Sequence, residues 1–176
     1  MDALPGKLGS EFHAYSSAFR YARINTEGIY YSLYRVALGG TAVCTVANTP
    51  TGYRKNVIRE LARVSSLPLK PATEGQHALQ SRLAITSASS FLRNLSIELG
   101  KISNDIRLMA SGPIAGFAEL EIPAVHAGSS IMPGKVNPSL AECMNMICFS
   151  VIGNDTSVAF AGQAGQLELN VMLPGM

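Results

Sequence analysis

The sequence predicts an all-α protein built as a long-helix bundle, on three observations. Apolar residues recur at alternating spacings of 4 and 3 over much of the chain, which is the signature of helices packed along continuous seams. Trp is absent and strand-like patterning is scarce. Of 176 residues, 47% are apolar and only 15% charged, enough to build a sizeable core and too apolar for a disordered chain.

The first seam runs through Leu8, Phe12, Tyr15, Phe19, Ala22, Thr26, Ile29, Leu33, Val36, Gly40, Val43 and Ala47. It predicts a single helix over about 8–47, roughly 60 Å long at 1.5 Å per residue. Gly39, Gly40 and Ala42 would let a neighbouring helix approach closely, and Asn48-Thr49-Pro50 ends the element because the residue before Pro is pushed out of the helical region. A short amphipathic helix follows, with Tyr53, Val57, Leu61 and Val64 on one face, stopped at Ser65-Ser66-Leu67-Pro68. A second long helix is expected over about 76–110, its seam carried by Leu79, Leu83, Phe91, Leu95, Ile102, Ile106 and Met109. A third begins near Pro138, since Pro is tolerated in the first turn. Its seam is Leu140, Met144, Ile147, Val151, Asn154, Val158 and Ala161. Seams this long need partners along their whole length, which predicts association between copies of the chain. A closed monomeric three-helix bundle is the alternative.

Charge and cysteine content narrow the function. Fourteen Lys and Arg against twelve Asp and Glu leave +2, with no basic block longer than Arg54-Lys55. No nucleic-acid or membrane-surface partner is expected. No apolar run approaches a membrane span. Cys44, Cys143 and Cys148 form no CxxC pair, which predicts reduced thiols in a cytoplasmic protein, with Cys143 and Cys148 as small buried hydrophobes. His13, His77 and His126 lie in separate segments without ligand spacing, so no metal site is expected. His126 reads as a surface or loop-packing residue, and Tyr30, Tyr31 and Tyr34 as packing aromatics.

Residues 111–138 differ from the rest, with four prolines, four glycines and no lasting period. A loop this long in a helical protein usually has a function. Its informative stretch is Gly128-Ser129-Ser130-Ile131-Met132-Pro133-Gly134-Lys135-Val136-Asn137-Pro138. The glycines permit sharp turns and free backbone N–H groups, Ser129 and Ser130 bring hydroxyls, Lys135 a point charge, and Asn137 a donor and an acceptor. The N-terminus of a helix follows immediately. The set suits a small dianion. From composition alone, however, Gly-Ser-Ser is more often a mobile linker and Lys-Val-Asn-Pro a helix lead-in.

This stretch resembles the signature of the fumarase/aspartase superfamily, and the resemblance extends over essentially the whole chain. Leu38-Gly39-Gly40-Thr41-Ala42-Val43, Asn104-Asp105-Ile106-Arg107 and Ser111-Gly112-Pro113 fall where the family has similar blocks. Val151-Ile152-Gly153-Asn154-Asp155-Thr156 and the block from Ala164 to Met172 look more like the aspartate ammonia-lyase branch than the class II fumarate hydratase branch. The resemblance implies the family's central helical domain over 1–176, a homotetramer with sites shared between subunits, and reversible anti-elimination from a small dicarboxylate without cofactor. It places Ser129 on the general base and Glu142 on the acidic residue that orients a catalytic-region His. Ser130, Lys135, Val136 and Asn137 fall on substrate-binding positions. The family's N-terminal segments with further carboxylate contacts, and its small C-terminal domain, have no counterpart here, so the isolated chain is expected to be inactive or to serve only as a helical oligomerisation module. One departure stands out. Where the family continues Gly-Thr-Gly, this chain has Cys44-Thr45-Val46, which on a helical reading would widen a tight helix contact.

Overall fold

The protein is seen in a computed structural model that describes residues 3–176. Among the described residues, six α-helices carry the fold: α1 (Leu8–Ile24), α2 (Thr26–Leu33), α3 (Tyr53–Ser65), α4 (Gly75–Gln80), α5 (Leu83–Met109) and α6 (Ser139–Gln163). Two-residue strands, β1 (Arg35–Val36) and β2 (Lys70–Pro71), pair in parallel. By its contacts the chain divides into two compact units. One comprises Met1–Tyr21 and Leu92–Asn154, and the other Ala22–Phe91 and Asp155–Met176.

The helical class holds, with two corrections to element boundaries. The helix expected over 8–47 stops at Ile24, restarts at Thr26 and ends at Leu33. At the first break the Thr26 hydroxyl donates to the Arg23 carbonyl at 2.8 Å, giving the backbone a local alternative to the helical ladder. At the second, the chain turns into β1, where the Tyr34 and Val36 carbonyls accept from Lys70 and Ala72 at 2.9 and 3.0 Å. Beyond it, Thr41, Cys44, Val46 and Asn48 all take positive φ, between 56° and 68°, which no right-handed helix accommodates. The 4-3 spacing of Val36, Gly40, Val43 and Ala47 therefore belongs to the end of β1 and the tight turns that follow it. The second long helix is likewise divided. Ser81 is extended (φ −79°, ψ 136°), and its hydroxyl accepts from the Leu83 N–H at 3.2 Å, so Ser81 caps α5 and separates it from α4.

These left-handed turns give the Cys44-Thr45-Val46 departure a different meaning. Its effect is backbone strain at Cys44 and Val46, at φ 59° and 56°, and no helix contact is widened. A β-branched residue in this region costs about 1–2 kcal/mol, and glycine gives back about 0.5–1 kcal/mol through its looser unfolded state. Val46→Gly is accordingly expected to stabilise the protein by about 0.5–1 kcal/mol. Thermal unfolding followed by circular dichroism would check this, and a lower melting temperature in the variant would count against strain at Val46.

In the second unit, Ile58 of α3 is almost completely buried, whereas Val64 on the face expected to pack is exposed. Arg54 reaches from α3 to the Ala72 carbonyl at 3.2 Å. Tyr30 and Tyr34 stack with centroids 6.1 Å apart, and Arg35 lies over the Tyr31 ring at 4.8 Å; both Tyr30 and Tyr31 remain exposed.

In the first unit, α1 is tied to α5 by Tyr15, whose hydroxyl donates to Asp105 at 2.7 Å. Lys101 pairs with the same carboxylate. On α6 the buried residues are Asn145 and Cys148, while Leu140 and Ile147 of the expected seam lie exposed. Cys143 is exposed as well, contrary to the sequence expectation for it. Asn145 donates to Asn104 at 2.8 Å, joining α6 to α5 by a polar contact.

Partial burial pushes the Asp105 carboxyl up, but hydrogen bonds from Lys101 and Tyr15 outweigh it and hold the group below the usual aspartate range. A carboxyl lowered in the folded state contributes stability above its unfolded pKa, and that contribution is lost as pH falls through the folded value. Acidification from about pH 5 to about pH 2.5 should thus lower the melting temperature of the native chain more than that of Asp105→Asn. Parallel pH dependences would exclude this role for Asp105.

Candidate functional site

The loop from Ala110 to Pro138 contains no helix or strand, as its proline and glycine content predicts. Its signature portion closes on itself. Gly128 takes φ +80°, and any side chain there would collide with the Lys135 carbonyl oxygen. The entering and leaving limbs thus touch at a neck between Gly128 and Lys135. Gly134 also takes a left-handed φ, +83°, and the Lys135 N–H donates to the Met132 carbonyl at 3.1 Å, closing the tip in a tight turn.

Of the residues singled out in the sequence, the neck brings the backbones around Ser129 and Lys135 together. Ser129 is half-buried, and its hydroxyl accepts from the Ile131 N–H at 3.4 Å. Ser130, Lys135 and Val136 are exposed. Asn137 is half-buried and lines an apolar cavity of about 360 Å³ with Leu99, Ile102 and Ile106 of α5, Val125 of the loop and Met144 of α6. Glu142 lies in the first turn of α6, its N–H donating to the Pro138 carbonyl at 3.0 Å. Its carboxylate stands 3.8 Å from the Arg107 guanidinium of α5, a loose and partly solvated pair of small energetic weight. Arg107 in turn donates to Asn104 at 3.4 Å, so a polar chain runs from Glu142 to the buried Asn145.

Two participants escaped the sequence reading. One is Arg107, whose partner lies 35 positions away. The other is Ser139, whose hydroxyl stands 2.5 Å from His126 Nε2; His126 also accepts from the Gly128 N–H, at 2.9 Å. The expected loop-packing role of His126 is thus met by specific contacts. Among the described residues, no three His, Cys, Asp or Glu side chains gather to hold a metal, and no helix is long and apolar enough to cross a membrane.

A family model described as a lyase matches residues 1–153. The chain belongs to this lyase family. It is 49% identical over 173 residues to the aspartate ammonia-lyase of Bacillus subtilis (strain 168), covering 98% of this chain and 36% of that one. It is 46% identical over 176 residues to a class II fumarate hydratase of Haemophilus influenzae, covering 100% of this chain and 38% of that one. The chain therefore spans under two fifths of the length of these lyases. Among solved structures, a fumarate lyase:delta crystallin from Brucella melitensis bound to cobalt superposes with a TM-score of 0.92 at 41% identity, over 99% of this chain and 38% of that one. The class II fumarase of Schistosoma mansoni gives 0.90 at 34% identity, over 99% and 40%. The helical fold is thus the one these lyases share.

Proposed function

We propose that the loop Gly128–Pro138 is the base-bearing part of a carbon–nitrogen lyase site that converts L-aspartate reversibly to fumarate and ammonia. The observation that supports the reading is the closed neck, where the backbone at Gly128, next to Ser129, meets the Lys135 carbonyl just ahead of the N-terminus of α6. Ser129, acting as the alkoxide, takes the proton from the carbon beside a carboxylate and becomes the neutral hydroxyl. The electron pair passes into that carboxylate as a doubly charged aci-form, and collapse to the double bond expels ammonia. Lys135 offsets the added charge, an interaction stronger in the intermediate than in the substrate. Ser130, Val136 and Asn137 hold the dicarboxylate, and Glu142 orients a catalytic-region histidine. Exposed apolar residues along the helices, among them Phe12, Phe19 and Leu140, support burial against further copies in a tetramer.

A class II fumarate hydratase, with water as the leaving group, is the second reading, supported by the comparable identity to the Haemophilus influenzae enzyme. The two separate in a chimera in which this chain replaces the matched 173 residues of the Bacillus subtilis enzyme. Fumarate absorbance rising from L-aspartate and not from L-malate supports the ammonia-lyase; the reverse supports the hydratase. In the active chimera, Lys135→Arg should not restore what Lys135→Ala loses, because the planar guanidinium presents its charge differently from a compact ammonium. Both variants should raise KM and lower kcat, by about tenfold or more each. Full activity with arginine would remove Lys135 from contact with the substrate.

A further inference from the structure

The imidazole of His126 joins two parts of the chain that flank the loop. Its Nδ1 accepts the Gly128 N–H at 2.9 Å, and its Nε2 lies 2.5 Å from the hydroxyl of Ser139, the first residue of α6. A backbone N–H can donate only to a nitrogen with a free lone pair, so Nδ1 is unprotonated and the ring proton sits on Nε2, donating to Ser139. Gly128 immediately precedes Ser129, and Ser139 follows Lys135 by four residues. The ring thus braces the entering limb against a helix end, at the point where that limb touches the Lys135 carbonyl.

We propose that His126 is a positioning residue that sets the neck of the loop and with it the spacing between Ser129 and Lys135. The proposal rests on the lyase reading for its catalytic meaning, but the brace itself is testable without turnover. In the 176-residue chain, the ring nitrogen shifts of His126 should report the Nε2–H tautomer at neutral pH. His126→Ala should accelerate hydrogen exchange at the Gly128 amide about tenfold or more, shift the amide resonances of both Ser129 and Lys135, and leave the amides of α5 unchanged. His126→Asn, which keeps an acceptor near the Nδ1 position, should recover most of the Gly128 protection. His126→Gln, which reaches only toward Ser139, should not. The Nδ1–H tautomer, or unaltered exchange at Gly128 in the alanine variant, would overturn the brace. In the active chimera, His126→Ala should lower kcat about 10- to 100-fold with a smaller effect on KM, since a misplacement of about 1 Å suffices for such losses, and His126→Asn should recover kcat in part. An unchanged kcat beside faster loop exchange would overturn the positioning role. A chimera inactive with its native histidine but showing the expected tautomer and exchange would count against the lyase reading and leave the brace standing.

Discussion

Ser129→Ala in the active chimera is expected to lower kcat by about 10³-fold or more while leaving helical content and oligomeric state unchanged. Removing a group that acts on the reacting atoms lowers the rate of the chemical step without touching the fold, and the losses measured for such groups are of this order. The packing consequence is small, because the hydroxyl makes one long contact, 3.4 Å to the Ile131 N–H. A serine alkoxide is a poor resting state in water, so the loop must exclude solvent and present N–H groups to the oxyanion as the base acts. The small KM effect expected for this variant separates Ser129 from Lys135, whose loss is expected to raise KM as well. Stopped-flow or steady-state fumarate absorbance, with circular dichroism and size-exclusion chromatography on the same samples, provides the check. Near-native kcat would assign the base elsewhere.

Gly128→Ala is expected to be nearly as damaging, by a different route. The backbone at 128 is left-handed, φ +80°, which for alanine costs about 1–2 kcal/mol. The added methyl also meets a backbone carbonyl oxygen, that of Lys135, which cannot rotate away as a side chain could. The neck must open, and a shift of about 1 Å between the limbs carries an activity loss of about 10²-fold. Gly134→Ala is the internal control. Its φ is +83°, but a side chain there meets open space, so it bears the conformational cost alone. Equal losses of activity in the two variants would mean that the Gly128–Lys135 contact does not govern the site.

The contrast between loop and helices explains what could be read from the sequence. The fold class, the extent of α3, the start of α6, and the absence of regular structure over 111–138 follow from local rules: apolar periodicity, proline at a first turn, and glycine and proline density. The loop residues are contiguous, so their types and order were legible directly. The failures come where periodicity continues through a break. At Ile24 to Thr26 the spacing is uninterrupted, and only a hydroxyl bonding back to the Arg23 carbonyl marks the change of element. At Ser81 the available signal was an N-cap residue inside an apolar pattern. The turns from 39 to 48 depend on left-handed backbone at Thr41, Cys44, Val46 and Asn48, three of which sequence preference would not place there. Contacts distant in sequence, such as Arg107 with Glu142 and Tyr15 with Asp105, have no local signature.

The central claim is that the loop Gly128–Pro138 holds a small dicarboxylate, and titration of the isotopically labelled 176-residue chain with fumarate tests it most directly. Binding in the millimolar range, about −4 kcal/mol, is expected. Saturable amide shifts are expected at Ser129, Ser130, Lys135 and Asn137 that disappear in Lys135→Ala and are not produced by chloride at equal ionic strength. Loop amides that stay fixed throughout the titration, or that move equally with chloride, would contradict that claim.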